Sequence, residues 1–569
     1  MTLSLIPSVK TLIPHEGFLK EKTLRLSAPV ADRRLLSVLR FFSVSGEGTE
    51  LRILTGEGEG EGYRLSIRED GITVEASGAA GAFYALQTLR QLFCRDRVPC
   101  LFIEDGPDFS YRGFCQDVTR GRVPTLASLK TLVDRMAYYK LNSLQLYVEH
   151  TFPFEECGDP LRANGCLSGE EIRELDAYCR ENFIELIPSV ATFGHMYEIL
   201  QQPPYRHLRV LKDYEEEPNV WHARMAHHTI DPQDPESIGL VKSLIDQTLP
   251  FYRTDLFNIC CDETFDLFAR YPDKAGEMYV GFVERIMAHL RGKGKRIMMW
   301  ADILLRHPET IEKLPAETVF LNWAYGIPDE SKIKKLADLG RRQIVCPGTS
   351  AWNRFAENVE KEEKNISLMA EYGRRYGAEG ILNTNWGDWG HIAPLELSMY
   401  GLAAGAEKAW SVATEFDAAF HGKVNDLLYQ RPDGWECLKA VSDMNDLVSW
   451  TQFVKNSFFH RAGERERMVF PDRETPERVQ ALYDGLRERL PEGEEDIYRR
   501  SLRLAAEGIC AVAELTAKAA GYDLPEKIRV AKWLAAYRQN WLRDNKESEL
   551  RRIEEIFRYY GRTDFSGRA

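Results

Sequence analysis

The sequence predicts a (β/α)8 TIM barrel set between a small N-terminal α/β domain and a C-terminal run of helices. Three observations carry that prediction. The first hundred or so residues alternate short strands with one clear helix. From about residue 110 the rhythm changes to eight short apolar runs separated by segments of helical periodicity. From about residue 413 the chain reads as amphipathic helix, dense in charge.

The N-terminal domain is expected over residues 1–108. There "EGYRLSIRED" and "GITVEAS" alternate apolar and polar residues about a turn at Asp70-Gly71, which is hairpin chemistry. "AAGAFYALQTLRQLF" reads as an amphipathic helix. The "GEGEGEG" run at 56–62 carries glutamates where a phosphate loop needs Lys and Ser or Thr, so it is expected to be a solvated loop.

The barrel is expected over residues 109–412. Its strands are "YRGFCQDV", "LNSLQLYVE", "IELIPSVAT", "LFNICCDE", "RIMMWAD", "TVFLNWAY", "RQIVCPGTS" and "GILNTNWGD". Helical stretches such as "LASLKTLVDRMAYYK" and "GEEIRELDAYCREN" separate them. The longest connection, about 196–235, comes after the third strand and reads as an elaborated active-site loop. Residues 413–569 are expected to form a helical domain buttressing the barrel, with a homodimer contact as the alternative.

Composition excludes several classes. The chain has 569 residues, more than one core holds, and is 44% hydrophobic, 28% charged and 11% aromatic, as a soluble globular protein is. A net charge of -13 repels a phosphate backbone, so no nucleic-acid partner is expected. No apolar run is long enough to span a membrane. "MTLSLIPSVKTLIPHEGF" makes a poor signal peptide, and the eleven cysteines form no CxxC pair or Cys/His metal pattern. A reduced, cytoplasmic protein without metal or cofactor is the expectation.

Chemistry in such barrels gathers at the C-terminal ends of the strands. Read in order, those ends supply Asp117 and Arg120; Glu149 and His150; His195; Asp262 and Glu263; Trp300 and Asp302; Trp323 and Tyr325; Trp352 and Asn353; and Trp386, Asp388 and Trp389. Five of the eleven tryptophans thus share one rim with carboxylates. Sugars ask for that combination, since their C–H faces stack on aromatic rings and their hydroxyls bond carboxylates. Adjacent Asp262 and Glu263 form an awkward pair for the usual retaining glycosidase, whose carboxyls flank the scissile bond about 5 Å apart. They suit a substrate that brings its own nucleophile, a 2-acetamido group attacking C1 while one acid orients its N–H and the other protonates the leaving oxygen.

On these residues the sequence resembles glycoside hydrolase family 20, the β-N-acetylhexosaminidases, and within it the hexosaminidase D branch. "YRLSIREDGITVEASGAAGAFYALQTLRQL" is similar to the family's small N-terminal domain, and "KLNSLQLYVEHTFPFE" to strand two of that branch. "ICCDE" resembles the family's "GGDE", with cysteines where glycines are commoner. The resemblance implies an exo-acting enzyme that removes terminal β-linked GlcNAc or GalNAc, with retention, through an oxazolinium intermediate. It makes Glu263 the acid/base and Asp262 the acetamide orienter, with Glu149 holding His195 and His195 holding Glu263. It gives Arg120 and Asp388 the sugar's hydroxyls. "MWAD", "LNWAY" and "NWGD" match the strands of the tryptophan cage, so Trp300, Trp323, Tyr325, Trp352, Asn353 and Trp386 line the sugar site.

The sequence departs from the family at two places. "D-x-P-G-H" becomes "ATFGH", and the Tyr and Asp two apart on strand seven become Ala351, Trp352, Asn353. Tyr325 is then the candidate hydroxyl for the acetamido oxygen. The alternatives are a non-catalytic glycan-binding barrel, or a substrate-assisted β-N-acetylgalactosaminidase of another family. The implied partner is a small glycan or glycoconjugate ending in N-acetylhexosamine.

Overall fold

The computed structural model describes residues 3–158, 165–213, 220–225, 228–490, 493, 496–563 and 565. Its first sheet comprises β1 (Thr11–Phe18), β2 (Leu24–Leu26), β3 (Thr49–Thr55), β4 (Tyr63–Arg68), β5 (Gly71–Ala76) and β6 (Pro99–Asp105), in the order β1-β6-β4-β5-β3-β2. The predicted hairpin is β4 and β5, antiparallel with Arg68 opposite Gly71, so the turn residues are Glu69 and Asp70. Helix Ala79–Phe93 covers the sheet and buries eleven of its fifteen residues.

The barrel is closed by eight parallel strands: β7 (Tyr111–Asp117), β8 (Ser143–Val148), β9 (Glu185–Val190), β10 (Leu256–Asn258), β11 (Arg296–Trp300), β12 (Val319–Trp323), β13 (Arg342–Cys346) and β14 (Gly380–Asn385). Each lies inside one of the eight predicted runs. Strands β7, β8 and β14 are almost wholly buried, as strands covered on both faces must be. Helices cap in the expected way: Ser168 and Glu171 form a reciprocal capping box at the start of Gly169–Glu181.

The "GEGEGEG" run does more than sit in solvent. Glu61 reaches the barrel floor, where its carboxylate pairs with the fully buried Arg112 at 2.6 Å. This bond and the Lys140–Asp105 pair at 3.2 Å fix the N-terminal sheet against the bottom of the barrel. The connection from β9 to β10 carries helices Tyr197–Leu200, Val220–Met225 and Ser237–Thr248. Beyond the barrel, helices Ala418–Val424, Gly434–Asn445, Trp450–Ala462, Glu474–Arg487, Ile497–Ala519, Val530–Asp544 and Leu550–Arg562 pack into the same core as the barrel's outer layer. Among the described residues no helix is long and apolar enough to cross a membrane.

Candidate active site

Strand β10 is only three residues long, and the turn after it lets two adjacent acids share one cleft. After Asn258 the ladder ends, and Cys260, Cys261 and Glu263 take left-handed backbone at φ 56°, 65° and 49°. The alternation of faces is therefore broken. Left-handed φ costs an L-residue roughly 1–2 kcal/mol, which is the physical reason a glycine suits this stretch better than a cysteine. Backbone bonds hold the turn in place: Cys260 N–H donates to the Asn258 side chain at 2.9 Å, and the Tyr279 hydroxyl donates to the Cys261 carbonyl at 2.7 Å. Glu263 N–H donates to Asp302 at 3.1 Å.

His195 meets this turn from β9. Gly194 makes the approach feasible, since a Cβ there would lie 2.3 Å from the Asp262 carbonyl oxygen. His195 itself is left-handed at φ 57° and buried. Its Nε2 stands 3.4 Å from Asp262 Oδ2 and 3.2 Å from Glu263 Oε2, and its Nδ1 stands 3.8 Å from Glu149 Oε1. Burial disfavours the imidazolium, but Asp262 and then Glu263 outweigh it and raise the His195 pKa well above its ordinary value. Among the described residues, His195, Asp262 and Glu263 form the one group whose atoms could hold a cation, all within 4.8 Å of one another.

Arg120 stands across Glu149 from His195. Its guanidinium hydrogen-bonds Asp117 at 2.7 Å and forms an ion pair with Asp388 at 2.6 Å, with Glu149 at 3.8 Å, and it lies over the rings of Tyr147 and Trp386. Asp117 is the hub, also accepting from the N–H groups of Thr119, Arg120 and Gly387, so it joins the ends of β7 and β14. Burial raises the pKa of Glu149 and of Asp388 despite the opposing Arg120 charge. Asp302 is pushed up to about 7 by burial and by the nearby Asp262.

The aromatic cage gathers as one cluster inside the barrel mouth. Trp300 and Trp386 meet edge to face at 5.6 Å, Trp323 stacks on Tyr325 at 5.4 Å, and Tyr325 meets Trp352 at 4.9 Å. Trp300 lies deepest, with no exposed surface, while Trp323, Tyr325, Trp352 and Asn353 are half-buried. Trp389 leaves the cage. Its backbone is left-handed at φ 57°, which turns the ring toward His222 and Lys455.

Tyr325 has hydrogen-bond partners within the barrel mouth. Its hydroxyl accepts the Trp386 indole N–H and shares a 3.2 Å bond with Thr384, whose own proton goes to the Pro347 carbonyl. Sequence reasoning passed over Tyr147, whose hydroxyl donates to Glu149 at 3.0 Å and whose ring meets those of His195 and Trp386 edge-on. The signal was there, because residues two apart on a strand share a face.

Residues 109–386 match the catalytic domain of glycosyl hydrolase family 20, and residues 3–106 match domain 2 of the same family, together about two thirds of the chain. The chain belongs to glycosyl hydrolase family 20. It is 34% identical over 162 residues to a beta-hexosaminidase of Akkermansia muciniphila, covering 24% of this chain and 32% of that one. It is 23% identical over 354 residues to hexosaminidase D of Bos taurus, covering 57% of this chain and 97% of the other. The chain thus spans about a third of the first relative and nearly all of the second. Its fold resembles the Flavobacterium johnsoniae chitobiase, with TM-score 0.62, 17% identity and coverage of 98% and 99%. It also resembles the Vibrio harveyi family 20 exo β-N-acetylglucosaminidase solved with N-acetylglucosamine, with TM-score 0.60, 19% identity and coverage of 77% and 78%. At these identities the likeness speaks for the fold.

Proposed function

We propose that the protein is an exo-acting β-N-acetylhexosaminidase that retains anomeric configuration through a substrate-assisted, oxazolinium mechanism. One observation carries the reading: Asp262 and Glu263 both converge on the same nitrogen of His195. Carboxylates that share one imidazole nitrogen stand on one side of the cleft. A double displacement needs its acid and its nucleophile on opposite faces of the sugar. The nucleophile then comes from the substrate, as the acetamido carbonyl oxygen attacking C1.

In this reading Glu263 gives its proton to the leaving oxygen and afterwards takes one from the water that opens the oxazolinium ring. Asp262 orients the acetamide N–H and balances the charge that develops on the ring. His195, backed by Glu149, fixes the rotamer of the acid. Arg120 and Asp388 take the sugar's hydroxyls, and Trp323, Trp352 and Trp386 enclose the acetamido methyl with Tyr325 and Asn353 at their edge, while the expected wall residue Trp300, which has no exposed surface, backs Trp386 from within the barrel. Membership of the hexosaminidase D branch is supported by the near-complete span of the bovine relative. The substrate is a glycan or glycoconjugate ending in β-linked GlcNAc or GalNAc, a cytoplasmic setting is part of the reading, and the 1–108, 109–412 and 413–569 division is its domain plan.

The test compares nitrophenyl β-N-acetylglucosaminide with the matching β-glucoside. The glucoside can stack on Trp386 and bond Arg120 but has no amide to cyclise. An intramolecular nucleophile is worth several kcal/mol of effective molarity, so glucoside turnover is expected to be at least about 10³-fold slower. Comparable rates, or a 2-fluoro sugar trapped on Asp262 or Glu263, refute the mechanism.

A further inference from the structure

Among the places where the C-terminal helices reach the catalytic face is the connection between helices Val530–Asp544 and Leu550–Arg562. Its residues touch three barrel loops. Lys546 N–H donates to the Val123 carbonyl at 2.8 Å, and the Ser548 hydroxyl donates to the carbonyl of Gly121, the residue after Arg120. Lys546 Nζ bonds Glu171 and the Cys166 carbonyl, each at 2.7 Å. Glu549 accepts from the Trp221 indole at 2.6 Å and pairs with Arg224 at 2.7 Å. Arg224 in turn pairs with Glu198, three residues beyond His195, and its Nε donates to that carboxylate at 2.9 Å.

Two of these contacts fall close in the chain to side chains of the site, Gly121 beside Arg120 and Glu198 three residues beyond His195. Gly121 has φ 137° and packs so closely on Gly390 that a Cβ would lie 2.3 Å from its carbonyl. The loop carrying Arg120 is thus wedged between the end of β14 and Ser548. The Glu198–Arg224–Glu549 triad is buried, with side-chain exposures of 10%, 3% and 10%. Burial favours a neutral Glu549, but Arg224 and then Arg552 hold it at about 2, so it stays ionised. A buried charge of this kind is costly unless its partners stay in place, which makes the triad a rigid link.

We propose that residues 546–549 form a brace by which the C-terminal helices position the active site, with Ser548 behind Arg120 and Glu549, through Arg224 and Glu198, behind His195. Ser548 and Glu549 are positioning residues, and the inference rests on the hexosaminidase reading above. Loosening the Ser548 arm disturbs the grip on the sugar. Loosening the Glu549 arm disturbs the acid, which matters most where the leaving group is poor.

The experiment uses the full chain and two N-acetyl-β-glucosaminides, one with a nitrophenol leaving group and one with a sugar leaving group. Glu549→Gln is expected to lower kcat about tenfold on the disaccharide and less than about threefold on the nitrophenyl substrate, a fraction of the full value of acid catalysis. Ser548→Ala is expected to raise KM about threefold on both, with the ratio of the two kcat values unchanged. A protein that is merely less folded loses both substrates equally. Equal losses in Glu549→Gln, or parental kinetics in both variants, overturn the brace. If Glu549→Gln does not fold, Ser548→Ala decides alone, and an unchanged KM overturns the proposal. A parent inactive on both substrates refutes the function itself and the brace with it, whereas an active parent with unaffected variants removes only the brace.

Discussion

The two sides of the cleft are built by different means. Asp262 and Glu263 are set by backbone: a three-residue strand, left-handed φ at residues 260, 261 and 263, and the close approach of Gly194. Arg120 and Asp388 are set by charge, in a cluster with Asp117 and Glu149 where the guanidinium side chain is 9% exposed. A group held by backbone can change its chemistry while the fold stays. A group held by buried charge cannot, since removing one member strands the others. Rate and stability should therefore separate on the acid side and move together on the grip side.

The largest expected effect lies on the acid side. Glu263→Gln keeps the shape and cannot give a proton, so turnover of a disaccharide should fall about 10² to 10⁴-fold. Its melting temperature should stay near the parent's. A large loss of stability would show that Glu263 belongs to the charge-held half after all.

On the grip side, Arg120→Lys keeps one charge and loses the planar fork that bonds Asp117 and Asp388 together. Activity on N-acetylglucosaminides should fall about 10 to 100-fold, by the loss of one charge-assisted contact of roughly 1.5–3 kcal/mol. Stability should fall with it. Calorimetry beside kcat/KM checks the coupling, and a rate loss at parental stability breaks the contrast.

The sequence made much of this legible because parallel strands are covered on both faces and end where polar residues begin. The strand ends from Asp117 to Asp388 read off in order for that reason. What stayed hidden depends on geometry that periodicity does not carry. The left-handed turn at Trp389 takes that ring out of the cage. Tyr325 shares a hydrogen bond with Thr384, a partner 59 residues away. The contact of Ser548 with Gly121 spans 427 residues, and no local pattern announces it. The short reach of Glu61 to Arg112 was lost in a run that looks like solvent.

A smaller effect is expected at Asp302, between the turn and the next strand. Its carboxyl is pushed from 3.8 to about 7 by burial and Asp262. A raised acid pKa means that folding favours the protonated form. Its contribution to stability is full below about pH 4 and is lost as pH rises through about 7. Asp302→Asn cannot ionise and still accepts the Glu263 N–H through its amide oxygen. Relative to the parent, its melting temperature should gain on the order of 2 °C between pH 5 and pH 8. Parallel melting curves across that range would show that Asp302 ionises freely.

The smallest effect tests the backbone directly, at Cys261. An ordinary buried position prefers Ala to Gly by roughly 0.5–1 kcal/mol, because Gly loses more freedom on folding. At φ 65° the preference should invert, since Ala keeps the left-handed strain of roughly 1–2 kcal/mol that Gly sheds. Both substitutions remove the same buried sulfur, so their difference isolates the strain. Cys261→Gly is therefore expected to be more stable than Cys261→Ala by about 0.5–1 kcal/mol. Cys346, buried within strand β13, serves as the control, and there Ala should exceed Gly. Denaturant unfolding of the four variants gives the two differences. If Ala wins at both positions, the turn after β10 stores no strain, and the acids are held by their side chains as Arg120 is.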